Sequence, residues 1–242
     1  MKRQADGSGT ADQRREQMLR AALEVIVERG FPDTRIADVA ERAGTSPALV
    51  IYYFKTKDQL LTEAIRLSED TWYETVTSRM ALIDSAAARL EELIAMSCLP
   101  EAEDDPDAPN TSWLLWLDLW AQAARHPEVA VVRQKFDERW WDTISSLVSQ
   151  GQEAGEFGPV APADFAATMS ALLDGFAIQI ALDDPTVGTG RAFELCMRFA
   201  ASQLGFTWVP RHRTGDGEAL AGARPAKARS VNGARDRSLA ER

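Results

Sequence analysis

Hydrophobic positions recur along the chain at helical intervals, and polar caps and Gly/Pro breaks divide them into nine segments. Asp12 to Arg29 carries Met18, Ala22, Val25 and Ile26 at i, i+4, i+7 and i+8, widened by Leu19 and Leu23. That stripe predicts an amphipathic helix. Gly30 suits a left-handed C-terminal turn, and Pro32 blocks continuation. Thr34 is placed to cap a second helix, with Ile36, Val39, Ala40 and Ala43 on its apolar face and Gly44 at its end. Ser46-Pro47 reads as an N-cap followed by proline at the first helical position, opening a short third helix to about Tyr53. Thr56-Lys-Asp-Gln59 has the spacing of a capping box and starts a long fourth helix through Leu60, Leu61, Ala64 and Leu67.

The later pattern stays helical: Ala86 to Leu99, Thr111 to Ala124, Pro127 to Glu153, Ala163 to Asp183 and Gly190 to Leu204. Pro100 to Asn110 reads as an acidic, proline-containing loop, and Gly155 to Pro159 as a turn. No segment alternates β-branched and polar residues as a strand would, so an all-α fold is expected. From about Pro210 the chain is rich in Gly, Ala and Arg and nearly free of large apolar residues. The expected organisation is a disordered arm over 1–11, a small helical domain over 12–56, a larger helical domain over 57–208, and a disordered basic tail over 209–242.

Charge changes this picture only when it is divided. The 242 residues carry 27 Lys+Arg and 37 Asp+Glu, a formal net charge of −10 that argues against a nucleic-acid partner. By region the net is +1 over 1–67, −15 over 68–208 and +4 over 209–242. The acidity therefore belongs to the middle of the chain, and the first domain is free to approach phosphate. Hydrophobic residues make up 45% of the chain, enough for a substantial core. The N-terminus has no signal-peptide pattern, and no stretch reaches the roughly 20 apolar residues of a membrane span. Cys98 and Cys196 each sit among apolar neighbours and read as buried free thiols of a cytoplasmic protein.

The second helix, the Ala43-Gly-Thr-Ser46 turn and the third helix form a helix-turn-helix candidate. One helix is held to a scaffold, and a Gly-containing turn projects the next, N-terminus first, toward a major groove about 12 Å wide. Val50 and Phe54 are expected to anchor that helix, leaving Pro47, Ala48, Leu49 and Tyr52 open. Thr45 and Ser46 lie where free backbone N–H groups meet a phosphate, with Arg35 and Lys57 as flanking cations. A plain structural bundle of three small helices is the competing reading of the same pattern.

Residues 14–65 resemble the DNA-binding domain of the tetracycline-repressor (TetR) family of bacterial regulators. The matching pieces are Ala21-Ala-Leu-Glu-Val-Ile-Val-Glu-Arg-Gly-Phe31, Thr34-Arg-Ile-Ala-Asp-Val-Ala-Glu-Arg-Ala-Gly44, Thr45-Ser-Pro47 and Tyr52-Tyr-Phe-Lys-Thr-Lys-Asp-Gln-Leu-Leu61. The resemblance implies a homodimeric repressor with a helix-turn-helix domain over 12–56 on double-stranded operator DNA and a C-terminal domain over 57–208 that dimerises and binds a small-molecule effector of unidentified chemistry. It assigns DNA contacts to Arg35, Thr45, Ser46, Pro47, Ala48, Tyr52, Tyr53 and Lys57. Many members carry Tyr-Tyr-His-Phe where this chain has Ile51-Tyr-Tyr-Phe54, and Ile51 cannot donate to a phosphate as tyrosine does. The Val-Ile-Tyr-Tyr-Phe form resembles the branch containing the choline-responsive repressor, a likeness that names no effector.

Five of the seven Trp fall between 113 and 141. Trp113, Trp116, Trp120, Phe136 and Trp140, with Asp174 and Phe176, are candidates for an aromatic effector pocket; the same spacing also serves ordinary core filling. Asp118, Asp174 and Gln179 are polar groups on apolar helices that could orient a ligand. The −15 of this region favours a cationic or neutral effector over a polyanion. Leu172, Ile180, Phe193, Met197 and Leu204 are candidate dimer contacts, following the family's use of its last two helices. No nucleophile, acid–base pair or metal-ligand spacing stands out, so neither catalysis, cofactor nor metal is expected. The alternative from another class is a helical ligand-binding or adaptor protein without sequence-specific DNA binding.

Overall fold

The computed structural model describes residues 6–99 and 111–210, with side chains of 6–10 and 111–112 left aside. The predicted loop over 100–110 and nearly all of the predicted tail lie outside the described residues. Among the described residues there are nine α-helices and no strand. They are α1 (Asp6–Asp33), α2 (Ile36–Arg42), α3 (Pro47–Phe54), α4 (Lys57–Met80), α5 (Ala86–Cys98), α6 (Thr111–Ala123), α7 (Pro127–Glu153), α8 (Pro162–Ala181) and α9 (Thr189–Leu204).

Local chemistry explains the boundaries, with three departures from the sequence pattern. Helix α1 begins at Asp6, so residues 6–11 of the predicted disordered arm are helical. At its other end Gly30 leaves helical geometry at φ 77, ψ 157, an extended backbone with positive φ that glycine adopts without strain. Thr34 does not cap α2. Its hydroxyl donates to Gly30 O at 2.8 Å, sealing the end of α1, and Arg35 takes the N-cap place instead. At α4 only half of the capping box forms: Thr56 Oγ1 accepts from Gln59 N–H at 3.1 Å, while the Gln59 amide turns to Glu63.

Two apolar cores result. The first joins α1, α2, α3 and the start of α4 to Leu115 and Leu119 of α6 and to Val129 and Phe136 of α7. It crosses the predicted 56/57 boundary, so the small N-terminal helices share their core with the larger region. The second core is built from Leu90, Leu93 and Ile94 of α5, Ile144 and Val148 of α7, Phe165, Met169 and Leu173 of α8, and Cys196, Met197, Ala200 and Leu204 of α9. Cys98 and Cys196 are buried as free thiols, and their mutual contact and burial push the Cys98 thiol far above its ordinary range. Met197 and Leu204 have no exposed surface in the protomer, which corrects their assignment to a dimer interface. Their apolar positions on α9 face the chain's own interior.

Candidate nucleic-acid interface and effector site

Helix α3 is presented as a reading element requires. Ser46 caps it, its Oγ accepting from Leu49 N–H at 3.3 Å, and Pro47 sits at the first helical position. Val50 and Phe54 are fully buried and anchor one side. Gln17 Nε2 donates to Ala43 O at 3.1 Å, and Arg42 of α2 pairs with Glu24 and Glu28 of α1 at 2.9 and 2.8 Å. These ties fix the turn and the first helix of the pair against α1, so α3 is held at a set angle.

The predicted DNA-contact residues separate by exposure. Arg35, Ser46, Pro47, Ala48 and Tyr52 are exposed, and Thr45 is half-buried. Tyr53 is half-buried, with its ring meeting that of Tyr52 edge-on at 5.6 Å. Leu49, expected on the open side, packs partly against the core. Lys57 is already engaged: its Nζ donates to Pro32 O at 2.9 Å and lies 4.5 Å over the Phe31 ring. It ties α4 to the end of α1 while retaining two further donors. Sequence reasoning missed Lys55. It is exposed at φ 60, its ammonium donates to Tyr52 O at 2.7 Å, and it lies 5.0 Å over the Tyr52 ring. Its i+7 spacing from Ala48 was the available signal.

The predicted effector residues do not form one cluster. Trp116 meets Trp120 at 5.9 Å and Phe136 at 6.1 Å, beside the first core. Trp140 instead meets Trp72 of α4 at 5.7 Å, and Phe176 packs on the second core. The buried indole nitrogen of Trp113 has no hydrogen-bond partner among the described residues. Asp174 stands apart on α8, its carboxyl pushed up to about 6 by desolvation and then by the charge of Asp137. Gln179 donates to Gly175 O of its own helix at 3.2 Å. Asp118 accepts from Phe31 N–H at 2.8 Å, which makes it a link between α6 and α1 rather than an evident ligand group.

One turn before Trp72 and Tyr73 on α4 stands Glu69, another residue that sequence reasoning missed. Burial pushes its carboxyl up to about 7 against the pull of Arg139, while the nearby Trp116 indole favours the ionised form. Trp72 meets Tyr73 edge-on at 5.0 Å, and the Arg139 guanidinium lies 3.7 Å over the Tyr73 ring while its Nη1 bonds Asp70 at 2.7 Å. A half-buried acid near the Trp116 indole, with an arginine already resting on the tyrosine one turn on, is suited to positive charge. The stripe Leu61, Ile65, Glu69, Tyr73, Val76 places an acid on the buried face of α4, which was the legible clue.

No group of three or more acidic, His or Cys side chains among the described residues could hold a metal ion. No helix there is long and apolar enough to cross a membrane.

Comparison with known proteins places both regions. Residues 18–64 match the model of bacterial regulatory proteins of the tetR family, and residues 86–205 match the C-terminal domain of BetI-type transcriptional repressors. The HTH-type transcriptional regulator BetI of Burkholderia mallei is 31% identical over 189 residues, covering 77% of this chain and 91% of the relative. A transcriptional regulator from Saccharomonospora viridis, solved in complex with choline, superposes with a TM-score of 0.72 at 25% identity, covering 80% of this chain and 98% of that one. A TetR-family regulator from Rhodococcus gives 0.69 at 26% identity, covering 80% and 99%. These families are regulators of transcription, not enzymes. The chain belongs to the TetR family of bacterial transcriptional regulators, with a C-terminal domain of the BetI type.

Proposed function

We propose that this chain is a cytoplasmic homodimeric repressor that leaves its operator when a small organic cation binds beside Glu69. The DNA-reading domain is the helical unit around α2 and α3. Arg35, Thr45, Ser46, Pro47, Ala48, Tyr52, Tyr53 and Lys57, now with Lys55, form its contact set. Two copies related by a two-fold axis read half-sites about 34 Å apart, since one short helix reads only a few base pairs. The dimer contact is assigned to Leu172, Ile180 and Phe193, joined by Ile178 and Leu182, which are 39% and 71% exposed in the protomer. Such apolar exposure is what a self-complementary helical interface would cover.

The observation that carries the effector class is the half-buried acid Glu69, one turn before Trp72 and Tyr73 on α4 and near an Arg139 guanidinium already stacked 3.7 Å over Tyr73, with burial pushing the Glu69 carboxyl up to about 7. A bound cation repays the cost of ionising that acid and gains from the faces of Trp72, Trp116 and Trp140. The region's net charge of −15 points the same way. The choline-bound Saccharomonospora viridis regulator supplies a chemical precedent in a related fold. Release is then a population shift: the cation prefers the arrangement in which the two copies of α3 no longer match the operator, and it moves the equilibrium only by that preference.

The test is fluorescence anisotropy of the full chain on DNA from upstream of its own gene, titrated with choline. Choline is expected to release the DNA more effectively at pH 8 than at pH 6, because the acid ionises across about 7. Glu69→Gln is expected to raise the choline requirement at least tenfold and to flatten that pH dependence, leaving operator affinity unchanged. Release by choline that ignores both pH and Glu69 would refute the site, and failure to bind any such DNA would refute the repressor.

A further inference from the structure

The open face of α3 presents an isoleucine where a polar residue would be cheaper. Ala48, Ile51, Tyr52 and Lys55 stand at i, i+3, i+4 and i+7 and are all exposed, while Val50 and Phe54 hold the opposite face in the core. Ile51 keeps half of its surface open at 50%, beside Tyr52 at 69%. Apart from the Tyr52 hydroxyl, the polar chemistry of this face sits at its two ends. Ser46 caps the N-terminus, and Lys55 is pinned near the C-terminus by its bond to Tyr52 O and its place over the Tyr52 ring. The middle, Ala48 and Ile51, offers only carbon.

We infer that Ile51 reads the C5-methyl group of a thymine in each operator half-site. The inference rests on α3 being the groove-entering helix of this TetR-type domain. An isoleucine has no donor or acceptor, so it cannot serve a phosphate or a base-edge hydrogen bond. Among the base-edge features of the major groove, the thymine methyl is the one that rewards an apolar contact. Isoleucine in a helix is largely confined to one χ1 rotamer, so docking it sacrifices little side-chain freedom. Lys55 sets positive charge at the C-terminal end of the face, which suits a phosphate-lined groove rather than an apolar protein partner. Ile51 thereby selects sequence, while its neighbours hold the helix against the backbone.

The test uses the full chain. A binding site is first enriched from a pool of random duplexes, and each thymine is then replaced by deoxyuridine, symmetrically in both half-sites. Deoxyuridine keeps every hydrogen-bonding group and removes only the methyl. At one thymine per half-site the wild-type chain is expected to bind the uracil duplex on the order of fourfold more weakly per methyl, about fifteenfold for the pair. Ile51→Ala is expected to lose a similar factor on the thymine duplex and to bind thymine and uracil duplexes equally. Its melting curve should match the wild type, because the side chain is exposed. Equal thymine preference in wild type and Ile51→Ala, or no position at which uracil matters, overturns the inference while leaving α3 as a reading helix. Enrichment of no duplex overturns the reading role of α3 itself.

Discussion

Replacing Asp118 should loosen the joint between α6 and the DNA-reading helices. Where Gly30 breaks α1, the next amide no longer points along a helix. That amide belongs to Phe31, whose side chain is buried, and its N–H finds the Asp118 carboxylate at 2.8 Å. Asp118→Ala leaves a partly buried N–H without an acceptor, costing about 1–3 kcal/mol, with the upper half of that range suited to a charged acceptor. For a chain of this size each kcal/mol moves the melting temperature by roughly 2–4 °C, so a fall of about 4–12 °C is expected. Asp118→Asn retains an acceptor oxygen but loses the charge, and should cost about 1 kcal/mol or less.

The functional consequence separates from the stability one. Below its melting point the Asp118→Ala protein should still bind operator within a few fold of wild type, because α3 and its anchors are untouched. The effector concentration needed for release should rise, since a polar tie that lets α6 move α1 is gone. Circular dichroism melts at one fixed protomer concentration measure the first effect, and anisotropy with a choline titration measures the second. An Asp118→Ala protein that melts and responds like wild type would show that the tie contributes nothing in solution. Equal losses in the Ala and Asn variants would show that the acceptor oxygen is not the cause.

Tyr52→Ala and Lys57→Ala should separate in the same operator-binding assay: Tyr52→Ala weakens binding without changing the melt, whereas Lys57→Ala lowers both, since Lys57 holds Pro32 O and the Phe31 ring. Glu156 accepts from Ser85 Oγ at 2.6 Å and from the amides of Ala86 and Ala87 at 2.9 and 3.1 Å, so Glu156→Ala should cost about 1–2 kcal/mol in urea denaturation. Those bonds hold its carboxyl below the usual 4.5, so its stabilisation is full above that value and is lost as pH falls through the lowered one; the Ala variant should lack that acid-side slope. A Cβ on Gly151 would overlap the edge of the buried Phe157 ring, so Gly151→Ala should destabilise by about 1–2 kcal/mol, overpacking outweighing the gain in helix propensity. Phe157→Leu in that background should recover part of the loss, and purely additive losses would refute the clash.

What the sequence made legible and what it hid divide along one physical line. Signals carried by neighbours in the chain were readable. Ser46-Pro47 opens α3, the stripe through Val50 and Phe54 is buried, and Thr56 caps α4, because each depends on residues within one or two turns. The exposure of Tyr52 followed from the same periodicity. Contacts across the fold were not readable. Thr34 has the chemistry of an N-cap, but its hydroxyl is taken by Gly30 O once α1 breaks there. Lys57 looked like a free phosphate ligand until Pro32 and Phe31 were brought beneath it. Met197 and Leu204 are apolar on a helix that also offers surface, and periodicity says that a face is buried without saying against what. The Trp residues were found as a run in sequence, yet α4 supplies Trp72, Tyr73 and Glu69 from some forty residues earlier and divides the run into two groups. The proposed effector site was half visible for that reason: its rings announce themselves by composition, whereas its acid is recognisable only as a charge interrupting the apolar stripe of α4. An ionisable group on a buried stripe incurs a desolvation cost that a purely structural helix avoids, so in this chain the interruption of the pattern is more informative about function than the pattern itself.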